Sequence, residues 1–369
     1  MLFLTNLTED QKRQRQDLTT LEVELRMANP TSSLETSSVD AAAPISRAGI
    51  DAMGSDDGGM AKRSKMLVLS LALAYAAFFA LNSRAHRQLT PWGYSWATRF
   101  AAAVCHATGW LFGLRFNMKL DKVPTNGPYL ACVSPHGVLP LSLIGFGMWK
   151  FCVRAGPYSE QSLVALDARA AGASILFRVP LLRELLLLAN VRDASYDNII
   201  GLLTSGRTVA VNPGGNWEMT NASHEQERIY VQQRLGFIRL AMRTGRPLLP
   251  AYAFGESQLF HSSTRWLDQR LWMVRRLRIG APLFTGRWGL PLPIPLPTDV
   301  TFIVGREVPV GPPTTTPTDA QVEEVFERYV DEMCRLFREH AAACLPAPVA
   351  ARGLEVHRIG HGLVRHAKL

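Results

Sequence analysis

Four consecutive residues, Ser134-Pro135-His136-Gly137, place a lone imidazole on a turn directly after the strand-like run Tyr129-Leu130-Ala131-Cys132-Val133. Proline presets its own φ, and glycine lets the backbone bend or approach a ligand closely. A ring held there is available to take or give a proton near neutral pH. The competing reading is a satisfied structural histidine in a strand-to-helix turn. A second glycine-rich turn, Val211-Asn212-Pro213-Gly214-Gly215-Asn216-Trp217-Glu218, follows another strand-like run over 207–211. Two such turns after two strands suggest one shared site.

A third segment, 234–245, reads as a helix with apolar Phe237, Leu240 and Ala241 and with Gly245 at its C-terminal end. It runs into Leu248-Leu249-Pro250-Ala251-Tyr252-Ala253-Phe254-Gly255-Glu256. In this order the motifs resemble the type-2 diacylglycerol acyltransferase family, which also includes monoacylglycerol and wax-alcohol acyltransferases. The resemblance covers about residues 120–340. The family's His-Pro-His-Gly is matched at 134–137, and its Phe–Pro–Arg–Glu stretch by Phe177, Pro180, Arg183 and Glu184. Its glycine-glycine turn ending in glutamate is matched by Gly214, Gly215 and Glu218. Its Arg-x-Gly-Phe helix leading to Tyr-x-Phe-Gly-Glu is matched by Arg234, Gly236, Phe237, Tyr252, Phe254, Gly255 and Glu256. Val304–Val310 and an acidic amphipathic helix ending in Leu336-Phe337-Arg338-Glu339-His340 follow as they do in the family.

The chain departs from the family at Ser134, where the first histidine of the motif is expected. His136 aligns with the second histidine, which the resemblance implies is catalytic. Related glycerol-phosphate acyltransferases carry an aspartate five positions after that histidine. Here the position is Leu141, so no aspartate can orient His136 from its own turn.

The resemblance implies an acyl-CoA-dependent O-acyltransferase that acylates diacylglycerol to triacylglycerol, with acyl-CoA as co-substrate and no cofactor or metal. His136 is then the general base that removes the acceptor's hydroxyl proton. Glu218 is its catalytic partner, or a capping group at a helix start. Pro135, Gly137, Gly214, Gly215, Arg234, Arg243 and Glu256 are the implied substrate-binding residues. The amides of Gly214 and Gly215 are suited to an oxyanion or to coenzyme phosphates, and the arginines to those phosphates. Monoacylglycerol or a long-chain wax alcohol is the alternative acceptor. A catalytically silent endoplasmic-reticulum or lipid-droplet protein of the same fold, with Ser134 as the first sign of decay, is the non-enzymatic alternative.

Other chemistries fare worse. The string Gly255-Glu256-Ser257-Gln258-Leu259 lacks the closing glycine of a serine nucleophile elbow, and no Gly-x-Gly-x-x-Gly is present. Cys132 precedes the histidine turn but sits in an apolar strand, where a free cysteine behaves as a small hydrophobe. The five cysteines have no paired spacing, which suits a reducing compartment. A net charge of +9 favours an anionic partner. Zinc spacings, stacking-aromatic motifs and basic recognition helices are absent, so that partner is a membrane face or coenzyme A rather than nucleic acid.

These residues have to be positioned by a chain of 369 residues, 47% hydrophobic, which can bury one sizeable core and still leave apolar segments over. Residues 1–61 read as a charged helix from Thr8 to Arg26 followed by a disordered stretch rich in Ser, Ala, Asp and Gly. No secretory signal is read at the N-terminus. Residues 62–118 read as a membrane hairpin or a re-entrant helix pair. Lys62, Arg63 and Lys65 introduce the uncharged run 66–81, and a more polar return leg spans 96–110 with Arg99 and His106. That arrangement leaves the N-terminus and the catalytic domain on the cytosolic face of the membrane, and the resemblance implies the endoplasmic reticulum membrane or a lipid droplet. A further membrane contact is read at the basic, tryptophan-bearing segment 265–278, and the proline-alternating 290–297 is an apolar loop.

The catalytic domain is expected over 119–341 as an α/β fold, with a mixed or mostly parallel sheet and covering helices, similar to glycerolipid acyltransferases. Expected strands are 129–133, 162–165, 208–211, 248–254 and 300–304; expected helices are 180–188, 195–204, 227–244 and 319–339. Residues 342–369 are read as a basic tail. A homo-oligomer is compatible with this reading.

Overall fold

The computed structural model describes residues 57–90, 92–93, 95–120, 127–144 and 168–369. The charged helix expected over 8–26, most of the linker after it and the strand expected at 162–165 lie outside the described residues.

The main sheet has seven strands. Their order is β1 (Leu114–Leu120), β10 (Thr298–Val304), β7 (Leu248–Phe254), β2 (Leu130–Ser134), β5 (Thr208–Val211), β3 (Ala168–Gly172) and β4 (Val191–Asp193). The run from β7 through β4 is parallel throughout. β10 pairs antiparallel with β7, and β1 runs parallel to β10, so the fold is α/β with a mixed, mostly parallel sheet. Such strands are covered on both faces and therefore read as unbroken apolar runs, and every residue of β2 and β7 is buried.

Alternation along the strands divides the core into two layers. Leu130, Cys132, Tyr252, Phe254 and Ile303 face the long helix α8 (Asp319–Cys344), which contributes Val325, Tyr329, Met333 and Phe337. A Thr318–Gln321 capping box fixes the start of that helix. On the opposite face the strands present small residues, Ala131, Val133, Ala251 and Ala253, to a layer with Phe177 and the helix α3 (Leu182–Leu188). The helices α4 (Tyr196–Thr204), α5 (Gly215–Thr220), α6 (Gly236–Thr244) and α7 (Leu267–Leu277) lie in the connections between strands, and the short β8 (His261–Ser262) and β9 (Phe284–Thr285) form a separate antiparallel pair.

Two expected elements are corrected. The segment 227–244 is not one helix: Glu227–Val231 is strand β6, with Ile229 and Val231 turned into the core, and α6 starts only at Gly236. The expected basic tail is part of the core. After the short helix α9 (Ala347–Arg352), strands β11 (Leu354–Arg358) and β12 (Gly362–Ala367) form a three-stranded sheet with β6, and Leu345, Val349, Leu354, Val356 and Ala367 are buried.

At the N-terminal end, α1 spans Asp57–Leu81, and the chain divides as compact units between Leu71 and Ala72. The stretch Lys62–Arg87, of mean hydropathy 1.8 and with none of its apolar window buried, is long and apolar enough to cross a bilayer. The expected return leg, α2 (Ser95–Leu111), has 17 residues, buries Thr98 and Ala102, and leads directly into β1 of the main sheet. The expected boundary at 118 therefore falls inside a catalytic-domain strand. In α7, Leu271 is buried while Trp272 and the preceding Trp266 are exposed.

Candidate active site

Five parallel strands end on one edge, and ligands of open α/β sheets bind in the crevice outside such carboxyl ends. His136 follows β2, the Gly214–Glu218 turn follows β5, and Glu256 follows β7. The Asn212 side chain donates to the Val133 carbonyl at 2.7 Å and ties the first two of these turns together.

His136 is buried, 8% exposed. Its backbone N–H donates to Glu218 Oε1 at 2.7 Å, and its Nδ1 lies 3.2 Å from the Gly137 carbonyl. With a carbonyl as its neighbour, Nδ1 carries the proton and Nε2 the lone pair; this tautomer is assigned from the partner. Burial lowers the imidazole pKa to about 4, so the ring is neutral at physiological pH and able to accept a proton.

Two buried glutamates brace the turn. Glu218 accepts the His136 N–H and, more weakly, the Tyr230 N–H at 3.4 Å. Glu256 accepts the Leu141 and Ser142 N–H groups at 2.7 and 3.1 Å. Burial pushes both carboxyls up to about 8. The amide of Leu141, at the position where the resemblance places an orienting aspartate in related acyltransferases, is thus held by the Glu256 carboxyl arriving from β7. Glycine is required at two points. Gly137 has φ +62°, and a Cβ there would lie 2.9 Å from Glu256 Cγ. A Cβ on Gly214 would lie 2.1 Å from Glu218 Oε2 and 2.4 Å from the Tyr230 carbonyl oxygen.

The structure assembles His136, Pro135, Gly137, Gly214, Glu218 and Glu256 as one unit, but the glutamates and glycines act on the main chain of the turn. Gly215 donates its amide to the Asn212 carbonyl at 3.2 Å, which commits that donor within the turn. Arg234 and Arg243 stand apart. Arg243 donates to the Tyr196 hydroxyl at 2.7 Å and to the Thr315 carbonyl at 3.2 Å, and Arg234 borders a cleft with Asp319 and Glu323. Cys132 is fully buried, and burial raises its thiol pKa far above the ordinary range.

Two features are not legible in the sequence, a third buried carboxyl and the burial of Ser134. Glu227 on β6 is fully buried and accepts from the Tyr252 hydroxyl at 2.7 Å and from Gln258 Nε2 at 3.1 Å, adding a third carboxyl beneath the turns. Its signal was a glutamate at an inward position of a period-2 run. Ser134 is fully buried, and its hydroxyl neighbours that of Tyr329 on α8. Among the described residues no group of His, Cys, Asp or Glu side chains gathers as metal ligands.

Comparison with known proteins is consistent in kind. The family model described as diacylglycerol acyltransferase matches residues 63–345. Mouse diacylglycerol O-acyltransferase 2-like protein 6 is 28% identical over 279 residues, 68% of this chain and 79% of that protein. Human 2-acylglycerol O-acyltransferase 3 is 29% identical over 62% of this chain and 68% of its own length. Human diacylglycerol O-acyltransferase 2 is 26% identical over 60% of this chain and 59% of its own. Among solved structures, the 1-acyl-sn-glycerophosphate acyltransferase PlsC of Thermotoga maritima covers 63% of this chain and 77% of that chain at 16% identity and a TM-score of 0.35, too distant to bear on the site.

Proposed function

Because the chain belongs to the diacylglycerol acyltransferase family, we propose that it transfers a fatty acyl group from acyl-CoA to the free hydroxyl of diacylglycerol, with His136 as general base. The observation that carries this reading is a neutral imidazole fixed at the carboxyl edge of the sheet, its turn braced by Glu218 and Glu256.

An acyl-CoA thioester is already activated, and the alcohol is the poor partner. Nε2 of His136 takes the hydroxyl proton as the oxygen attacks the thioester carbonyl, a step to which a positioned base contributes roughly 10²–10⁴-fold. The tetrahedral intermediate expels the thiolate of coenzyme A, which recovers the proton from the imidazolium. The products are the new ester and free coenzyme A. The low basicity of His136 favours return of that proton. Pro135, Gly137 and the two glutamates hold the ring rather than touch the substrate.

The apolar α1 supports a membrane-associated enzyme; from the family alone we place it at the endoplasmic reticulum membrane and the lipid droplet, with the catalytic domain facing the cytosol, where acyl-CoA is made. A monoacylglycerol acceptor is the second reading, supported by the 29% identity to a 2-acylglycerol acyltransferase against 26% to diacylglycerol O-acyltransferase 2. The test is acyl transfer in membranes of cells lacking their own neutral-lipid acyltransferases, with labelled acyl-CoA and each acceptor in turn, for wild type and His136→Ala. Triacylglycerol made by the wild type and lost in the variant at equal protein level is expected. Product unaffected by the substitution would overturn the mechanism, and product from monoacylglycerol alone would replace the acceptor.

A further inference from the structure

Past the carboxyl ends of β3 and β4 the same sheet edge carries a pocket. A 3₁₀ turn, Ser174–Arg178, follows β3, and Asp193 ends β4. The chain leaving α1 closes the pocket with Phe79, Arg84 and Arg87.

Its charges do not cancel. Asp193 is compensated: Arg87 Nε lies 3.4 Å from its Oδ2, and the Ser174 hydroxyl donates to its Oδ1 at 2.5 Å. Arg183 is committed to the Phe79 carbonyl at 2.8 Å and to Glu184 at 2.8 Å. The guanidinium groups of Arg84 and Arg178, both exposed at the pocket, have no hydrogen bond or ion pair among the described residues. Two unpaired guanidinium groups beside a rigid turn are suited to a phosphate group, which they can grip with paired, charge-assisted hydrogen bonds.

Position selects the phosphate. Along the edge the order is β2, β5, β3, so at a strand spacing of ~4.8 Å the turn after β3 lies roughly 10 Å from the end of β2, which carries His136. The pantetheine arm between the thioester sulfur and the nucleotide phosphates of coenzyme A has about thirteen bonds, a little over four residue lengths or roughly 16 Å when extended, which spans that separation and the further reach out to the arginine side chains. We propose that Arg84 and Arg178 form the subsite for the nucleotide phosphates of acyl-CoA, with the thioester lying along the edge towards His136. The proposal rests on the acyl-CoA reading above. It moves the phosphate contacts away from Arg234 and Arg243, whose surroundings include Asp319 and Glu323 for the first and bonded partners for the second.

The test uses the full chain in vesicles, as wild type and as the double variant Arg84→Gln/Arg178→Gln. Both side chains are exposed and unbonded, so the fold is expected to survive. Two acyl donors are compared: acyl-CoA and the matching acyl-pantetheine, which has the same thioester and no phosphate. The variant is expected to raise KM for acyl-CoA about tenfold or more, with kcat and the KM for acyl-pantetheine unchanged. An equal shift for both donors, or no shift for acyl-CoA, would overturn the subsite. Repeating the series in neutral and phosphatidylserine-containing vesicles separates the other source of phosphate: a defect seen only with the anionic lipid would assign the pocket to a membrane headgroup. Calorimetric binding of adenosine 3′,5′-bisphosphate, which needs no turnover, keeps the two readings apart. A wild type that transfers no acyl group yet binds this nucleotide, with binding lost in the double variant, would overturn the enzymatic reading and keep the pocket. Equal binding by both proteins, or by neither, would overturn the pocket.

Discussion

Glu218 grips His136 by its main chain and not by its ring. Its Oε1 accepts the His136 backbone N–H at 2.7 Å, while the imidazole Nδ1 faces the Gly137 carbonyl at 3.2 Å. The carboxyl side chain is therefore a positioning group, and the ring's tautomer is set within its own turn.

That geometry separates two substitutions. Glu218→Gln keeps an oxygen for the His136 amide and is expected to retain activity within a few-fold. Glu218→Ala strands a buried N–H, costing about 1–3 kcal/mol, and frees the turn to shift, a displacement that can cost ~10²-fold in rate. If kcat in Glu218→Gln fell as far as in Glu218→Ala, Glu218 would be moving a proton.

Three glycines of the two turns are expected to rank by what a methyl group would meet. Gly215 has φ +51° with open space around its missing Cβ, so Gly215→Ala carries only a backbone penalty of about 1–2 kcal/mol. Gly137→Ala adds a contact at 2.9 Å with the flexible Glu256 side chain and should lower both Tm and kcat. Gly214→Ala meets the Tyr230 backbone at 2.4 Å as well as Glu218, and should be the most damaging. Thermal melts and rates on the three variants check the order; a benign Gly214→Ala contradicts it.

Burial of the carboxyls gives stability a defined pH dependence. Glu218 and Glu256, ordinarily near 4.5, titrate at about 8 in the folded chain, so the native state keeps protons that the unfolded chain has released. Stability is then lost as pH rises from about 4.5 to 8, by up to ~1.4 kcal/mol per pH unit for each group. His136, lowered from 6.5 to about 4, acts in the other direction: the unfolded chain binds a proton first, and stability is lost as pH falls through that range. Melting curves of Glu218→Gln and Glu256→Gln between pH 5 and 8.5 should be flatter on the alkaline side than the wild type. Parallel curves would show that neither carboxyl holds a proton in the folded state.

The legible parts of this molecule are those whose signals are local. The unbroken apolar runs of β2 and β7, punctuated by Pro135, Gly137 and Gly255, announce buried parallel strands, and Thr318 to Gln321 announces the start of α8. The sheet edge that gathers His136, Glu218 and Glu256 is likewise implied by turns that follow strands. What stayed hidden depends on distant partners. Glu227-Arg228-Ile229-Tyr230-Val231 opens with good helix formers, yet it pairs in register with Leu354–Arg358, more than a hundred residues away, and this tertiary pairing overrides the local preference. For the same reason the burial of Ser134 is not legible: nothing local says that the last residue of β2 is sealed in the core beside Tyr329.

The same long-range pairing makes the C-terminal segment a test of the active site. Ending the chain at Ala341 removes Leu345, Val349, Leu354, Val356 and Ala367 from the core and takes β11 away from β6. β6 carries both Glu227, bonded to Tyr252, and the Tyr230 amide that helps hold Glu218, so the damage should reach the His136 turn. The truncated chain is expected to lose cooperative unfolding and acyl transfer together. A milder probe, Leu354→Ala, should cost about 2–5 kcal/mol, as for other fully buried leucines, while leaving detectable activity. A truncated chain that melts and turns over like the full-length protein would show that residues 342–369 are a dispensable tail after all.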